Sequence, residues 1–113
     1  MTVKPNFING KWVEGHDHLE NVNPSNTSDV VGHFSIADQS QVLDAIEAAK
    51  NSQSKLAAMT PQHRFDALDF IGSEILLRID ELADLLAREE GKALSDARAE
   101  VNRASQIFKF FAG

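Results

Sequence analysis

The chain has 113 residues, no cysteine and a formal net charge of −6, with 42% hydrophobic and 25% charged residues. These are ordinary globular values, fitting one small domain or a piece of a larger one. The acidic balance argues against nucleic acid, whose binding rests on Lys and Arg neutralising phosphates. The missing cysteine excludes a disulfide framework, a thiolate metal site and a thiol nucleophile within these residues. Met1 to Asn6 lack the apolar core of a secretory signal, and no stretch approaches the roughly 20 apolar residues of a membrane helix. A cytoplasmic protein with no membrane partner is expected.

Phe7-Ile8-Asn9-Gly10-Lys11-Trp12-Val13 predicts a tight hairpin, because Asn-Gly suits a two-residue type I′ turn with positive φ at both positions. That register sets Phe7 opposite Trp12 as a cross-strand aromatic pair. Two strands alone are marginal in water, so the hairpin needs a further support. Gly15-His16-Asp17-His18 reads as a polar loop; His16 and His18 lack a third ligand nearby, and a solvated loop is the simpler reading. Asn23 to Asp29 is a turn cluster of Pro, Asn, Ser and Asp. Its Asn26-Thr27-Ser28 sequon reads as a coincidence of loop composition in a protein without a secretion signal. Val30 to Ser35 follows as a short strand, with Gly32 marking a bulge or a close backbone approach.

Four helices are predicted after it. Asp38 caps the first, whose stripe is Val42, Ala45, Ile46 and Ala49, and the polar run Asn51 to Ser54 ends it. Thr60-Pro61 opens the second, with Phe65, Leu68, Gly72, Ile75 and Ile79 as its buried face and Ile71 and Leu76 widening it. Arg64 stands in the first turn, where the macrodipole disfavours a cation, which suggests an acidic partner, although a solvated Arg is the commoner reading. Asp80 is expected to cap the third helix, with Leu82, Leu85 and Leu86 facing inward, Arg88 near the end and Gly91 as its left-handed stop. Ser95 is expected to cap the fourth. Its seam of Ala97, Val101, Ala104, Phe108 and Phe111, broadened by Ile107, favours a packing partner, since each buried Val, Ile or Phe contributes about 1.5–3 kcal/mol. Gly113 closes that helix.

These residues carry little recognisable chemistry. Glycines at 10, 15, 32, 72, 91 and 113 form no G-x-G-x-x-G fingerprint, and no Ser sits in a G-x-S-x-G elbow. Gly91-Lys92 is not a phosphate loop, which needs an earlier glycine, a following Ser or Thr and a strand in front. Glu89, Glu90 and Glu100 read as a solvated face rather than an acid–base pair. His63 has no evident nucleophile beside it.

The ordered set is more specific than any member. Phe7 to Val13, Asn23-Pro24-Ser25, Val30-Val31-Gly32, the helix with Ala45, Ala48 and Ala49, Arg64 with Leu68, Glu90-Gly91-Lys92, Glu100-Val101 and Phe110-Phe111-Ala112-Gly113 together resemble the N-terminal part of the NAD(P)-dependent aldehyde dehydrogenases. The sequence departs from that pattern near Lys55-Leu56, where the family often has a tryptophan, and at Phe110-Phe111, where a tyrosine pair is usual. The Asn23 to Gly32 loop looks most like that of 2-oxoglutarate semialdehyde (2,5-dioxopentanoate) dehydrogenases.

The resemblance implies an α/β parent, with residues 1–113 forming N-terminal antiparallel strands and about four helices of an incomplete cofactor-binding domain. It implies an enzyme that oxidises an aldehyde to a carboxylic acid with NAD or NADP. A cysteine thiolate would form the thioester and a glutamate would act as base for its hydrolysis, both well beyond position 113. No catalytic, cofactor-binding or metal residue is therefore assigned within these residues, and no cofactor is expected to bind them alone. Some relatives hold a structural cation between backbone matching Asn21-Val22 and an acid matching Glu100; a simple bond from Glu100 to a loop backbone is the plainer expectation. The expected partners are an aldehyde, the rest of the same polypeptide and further copies in a homo-oligomer. The isolated chain is expected to be inactive, and to self-associate or pack loosely. The alternative is a stand-alone helical interaction module without catalytic activity.

Overall fold

A computed structural model describes residues 1–113 in full. Five strands precede four helices: β1 (Val3–Lys4), β2 (Asn6–Ile8), β3 (Lys11–Val13), β4 (Asp17–Val22), β5 (Val30–Ile36), α1 (Gln39–Ala58), α2 (Pro61–Leu77), α3 (Ile79–Glu90) and α4 (Leu94–Ala112). They group into two units. The first takes residues 1–22 and 30–58; the second takes 23–29 and 59–113. No helix is long and apolar enough to cross a membrane.

In the first unit β2 and β3 form the expected hairpin, with Phe7 opposite Trp12 and their ring centroids 4.8 Å apart. Asn9 and Gly10 take φ of 52° and 76°, as a type I′ turn requires. The support is Gln41 on α1, which is buried. Its Nε2 donates to the Glu14 carbonyl at 2.8 Å and its Oε1 accepts from Asn6 Nδ2 at 3.4 Å. One amide thereby holds both ends of the hairpin. Asp38 caps α1 as expected, its Oδ1 accepting from the Gln41 N–H at 2.8 Å.

The second sheet has the order β1-β5-β4, with β1 parallel to β5 and β4 antiparallel to it. The bulge expected at Gly32 is present. Asn21 pairs with Gly32 and Val22 with Val30, which leaves Val31 as the extra residue. The loop expected at Gly15 to His18 is overturned in its second half, because Asp17 and His18 open β4. Asp17 to Glu20 are all exposed, so this strand is held by its backbone ladder and shows no apolar alternation. Gly15 is needed for close approach: a Cβ there would lie 2.3 Å from the Ile36 carbonyl oxygen.

α1 runs past its expected stop at Asn51–Ser54 to Ala58. Ser52 Oγ donates to the Ala48 carbonyl at 2.8 Å, so a polar residue in this stretch bonds back to the helix instead of breaking it. Its apolar stripe is largely uncovered, with Ile46 61% exposed.

The second unit holds the core. α2 opens as expected, with Thr60 Oγ1 accepting from the His63 N–H at 3.2 Å and Pro61 in the first turn. It ends one residue before α3 begins: Arg78 is both its last cap and the first cap of α3. The expectation that Asp80 caps α3 is therefore corrected, and Ile79 belongs to α3 rather than to α2. Asp80 and Glu81 stand in the first turn, where their charge complements the dipole, and Glu81 receives both Nε and Nη2 of Arg78 at 2.9 and 2.7 Å. Ser95 likewise does not cap α4. The helix starts at Leu94, and Ala93 supplies a backbone carbonyl but no capping side group.

The buried apolar residues are Ala83, Ala97 and Val101, with Ile75, Ile79, Leu82, Leu86 and Ala87 packed around them. Small residues at these contacts let the helix backbones come close. α4 meets α2 where Ser105, 1% exposed, donates through Oγ to the Gly72 carbonyl at 2.7 Å. A Cβ on Gly72 would lie 3.1 Å from the Ser105 carbonyl oxygen and 2.9 Å from Lys109 Cγ. Lys109 Nζ closes the contact on Asp69 at 3.0 Å and Ser73 at 2.9 Å. Towards its end α4 leaves this core: of the expected seam Phe108 is half-buried, but Phe111 is 71% exposed and Ile107 is exposed, as is the adjoining Phe110 at 76%.

The closeness of this contact is testable by urea denaturation. Gly72→Val should destabilise by about 1–3 kcal/mol through overpacking against backbone, and Ser105→Ala by about 1 kcal/mol through loss of one hydrogen bond. A neutral Gly72→Val would show that α2 and α4 are not in close contact.

Candidate functional site

The densest polar constellation lies in the second unit, where the Asn23–Asp29 turn meets the end of α3 and the start of α4. The turn is organised by its own polar groups and backbone. Asn23 Oδ1 accepts from the Ser25 N–H at 3.0 Å, an Asx turn. The Asn23 N–H reaches the Asp29 carbonyl at 3.0 Å, and Asn23 Nδ2 donates to Asp29 Oδ2 at 3.1 Å. Asn26 Oδ1 accepts from Ser28 Oγ at 2.7 Å. The sequon thus sits within an exposed, internally bonded turn.

Arg88 grips this turn from α3. Its Nε and Nη2 donate to Asp29 Oδ2 and Oδ1 at 2.9 and 2.6 Å, a bidentate pair that is half-buried. The Arg88 hydrogen bonds, aided by that from Asn23, lower the Asp29 pKa from 3.8 to about 2. Next to it, Ser25 Oγ donates to the Gly91 carbonyl at 2.6 Å. Gly91 ends α3 in the left-handed conformation, φ 71°, as expected. A Cβ there would meet Ser25 Oγ at 2.6 Å and Pro24 Cγ at 2.8 Å. Both the backbone angle and the approach of the turn demand glycine.

Lys92 completes the constellation. Its Nζ contacts Glu90 Oε2 at 2.7 Å and also Glu100 Oε2. Hydrogen bonding to Glu100 and then Glu90 pushes the Lys92 pKa up from 10.5 to about 12. Two of the three glutamates read as a solvated face therefore converge, on a lysine rather than on each other. Glu100 bonds this ammonium, where a bond to loop backbone was expected.

The chemistry available here is structural. A permanently charged ammonium is no base or nucleophile near neutrality, and a carboxylate ionised down to about pH 2 is no general acid. The remaining candidates stay apart. His16 pairs with Asp38 at 2.9 Å, while His18 packs edge-on against His33 with centroids 5.9 Å apart. Arg64 is exposed, as the commoner reading had it, and donates to the Met59 carbonyl at 3.2 Å. No group of three or more His, Asp or Glu is arranged to hold a metal ion. The Asp29–Arg88 pair was missed from sequence because its members lie 59 residues apart; only the acid at the end of a turn cluster and the Arg near a helix end hinted at it.

Linkage gives this clasp a pH signature. The folded-state pKa of Asp29 is depressed, so its stabilisation is present above about 3.8 and is lost as pH falls towards about 2. Arg88→Ala should lower the urea midpoint near neutrality, and the gap from wild type should close across that window. Gly91→Ala should cost about 1–2 kcal/mol at any pH, because it is strained and crowded. A gap for Arg88→Ala that persists at pH 2 would show that the pair is not the source.

Residues 12–113 match the profile described as the aldehyde dehydrogenase family. The alpha-ketoglutarate semialdehyde dehydrogenase of Haloferax volcanii is 34% identical over 108 residues, which cover 94% of this chain and 22% of that protein. Malonate-semialdehyde dehydrogenase 1 of Shouchella clausii is 37% identical over 111 residues, covering 96% of this chain and 22% of its own length. Among solved structures, an NAD-dependent aldehyde dehydrogenase from Sinorhizobium meliloti superposes with a TM-score of 0.92 at 25% identity. That match covers 99% of this chain and 23% of the other. The chain thus spans about 22% of the length of these curated relatives.

Proposed function

The chain belongs to the aldehyde dehydrogenase family, and from that we propose that residues 1–113 are the N-terminal part of the cofactor-binding domain of an enzyme oxidising an aldehyde to a carboxylic acid. The observation that carries this reading is the family match over residues 12–113, joined to the superposition of 99% of the chain on an NAD-dependent aldehyde dehydrogenase at a TM-score of 0.92. The substrate proposed is a semialdehyde, 2-oxoglutarate semialdehyde (2,5-dioxopentanoate) first. Its support is the identity to the Haloferax volcanii enzyme, and the Asn23–Gly32 loop agrees with it.

The oxidant proposed is NAD or NADP, which accepts hydride from the substrate when bound. The 113 residues have no glycine-rich dinucleotide loop, so the groups that hold its phosphates are assigned outside them. The same holds for the thiol nucleophile, since no cysteine is present. What these residues contribute is support: the clasped turn, the α2–α4 contact, and apolar faces on α1 and α4 that suit packing against the rest of the same polypeptide. Homo-oligomers of the complete enzyme are part of the proposal. The exposed Phe110, Phe111 and Ile107 also suit the alternative of a helical interaction module, which the same experiment separates.

The test compares the isolated chain with the same segment joined to the remaining domains of a family member. The joined protein should form NADH or NADPH on addition of 2-oxoglutarate semialdehyde, and the isolated chain should form neither. Cofactor reduction by the isolated chain, or a joined protein that folds yet oxidises no aldehyde, would overturn the proposal. The isolated chain should also associate as its concentration rises, because its apolar faces are uncovered. A monomer with a sharp, concentration-independent melting transition would contradict that.

A further inference from the structure

We propose that Asn9-Gly10 is a site of spontaneous deamidation, and that the carboxylate it leaves releases the β2–β3 hairpin from α1. The proposal rests on the hairpin itself and is independent of the enzyme's substrate. Gly10 follows Asn9 without a Cβ of its own, and the surroundings add no cover: a Cβ built on Gly10 would meet nothing within 4 Å. The nitrogen of Gly10 is thus the one among those that follow an asparagine here with no neighbouring Cβ. Asn6, Asn21, Asn26, Asn51 and Asn102 precede Phe7, Val22, Thr27, Ser52 and Arg103, and Asn23 precedes proline.

The reaction balances without an oxidant or a cofactor. The Gly10 backbone nitrogen loses its proton and attacks Asn9 Cγ. The new bond from that nitrogen closes a five-membered imide as the Cγ–Nδ2 bond of Asn9 breaks and ammonia leaves. Water then opens the imide at either carbonyl, giving aspartate or isoaspartate. In the closed turn Asn9 is held in the left-handed conformation at φ 52°, and ring closure needs that backbone to extend. The reaction therefore proceeds from the opened hairpin. Opening is easy, because each strand has three residues and the Phe7–Trp12 pair is mostly exposed.

The consequence follows from what Asn9 faces. It lines a cavity of about 400 Å³ between the hairpin and α1, together with Asp44, Glu47 and Lys55. Two carboxylates and one ammonium already give that cavity a negative balance, and aspartate at position 9 adds a third negative charge. Isoaspartate also inserts a methylene into the backbone. The loop then no longer suits the two-residue turn that sets Phe7 opposite Trp12.

The test ages the 113-residue protein in mildly alkaline buffer and follows it by intact mass, isoaspartyl methylation and peptide mapping. Trp12 is the sole tryptophan and its ring lies 4.8 Å from that of Phe7, so its near-ultraviolet circular dichroism reports the hairpin. Conversion at residue 9 should run roughly tenfold or more ahead of the other asparagines, because only glycine leaves the attacking nitrogen without a neighbouring Cβ. The Trp12 band should weaken in step with it. Asn9→Asp should show the loss at once, whereas Asn9→Gly, which keeps the positive φ, should neither age nor lose the band. Earlier conversion at another asparagine, or a native Trp12 band in the fully converted protein and in Asn9→Asp, would overturn the proposal.

Discussion

The helical unit depends on how closely α4 can lie against α2. Gly72 presents bare backbone, Ser105 bonds to its carbonyl at 2.7 Å, and any Cβ at 72 would press within 3.1 Å of the Ser105 carbonyl oxygen. A close approach of this kind means that few large side groups are needed: the buried apolar core is two alanines and a valine. Stability then comes from contact density over small residues and from satisfied polar groups, more than from the area of large apolar residues. Lys109, reaching Asp69 and Ser73, seals the rim of the same contact.

The clasp around Asp29 solves a related problem. A turn of Asn, Pro, Ser and Thr residues has no large apolar group with which to anchor itself, so its anchors are a bidentate ion pair to Arg88 and a hydroxyl on the Gly91 carbonyl. Glycine at 91 serves twice, ending α3 at positive φ and leaving room for Pro24 and Ser25. In the hairpin unit Gln41 plays the equivalent part, with one buried amide bonded to both ends of β2–β3. Each irregular segment is thus held by polar groups rather than by burial.

Local chemistry was legible in the sequence wherever it is short-range. The Asn9-Gly10 turn, the Asp38 and Thr60-Pro61 helix starts, the Gly91 stop and the Gly32 bulge all follow from residues within a few positions. The misreadings share a cause. Asp80 and Ser95 are good cap residues, yet in each case the backbone turns two residues earlier, at Arg78 and Ala93, with no capping side chain. β4 escaped notice because its two apolar residues, Leu19 and Val22, lie three apart and fall on opposite faces, and α1 outran its polar stretch because Ser52 bonds back to the helix. Gln41, Ser105 and Ala83 are central to packing but carry no pattern that marks them. The Asp29–Arg88 and Lys92–Glu100 pairs need the fold to bring them together. Membership of the aldehyde dehydrogenase family was legible only from the ordered set of motifs, since each alone is weak.

The central claim is that order in these residues radiates from the Gly72–Ser105 contact and the Ala83, Ala97 and Val101 cluster, while the apolar face of α1 and the end of α4 are exposed. Native-state hydrogen exchange tests it residue by residue. The account predicts the slowest exchange for amides of α4 around Val101 to Ser105 and of α2 around Gly72 to Leu76, with fast exchange along Val42 to Ala49 and from Ile107 onward. Protection of α1 equal to that of mid-α4 would contradict it.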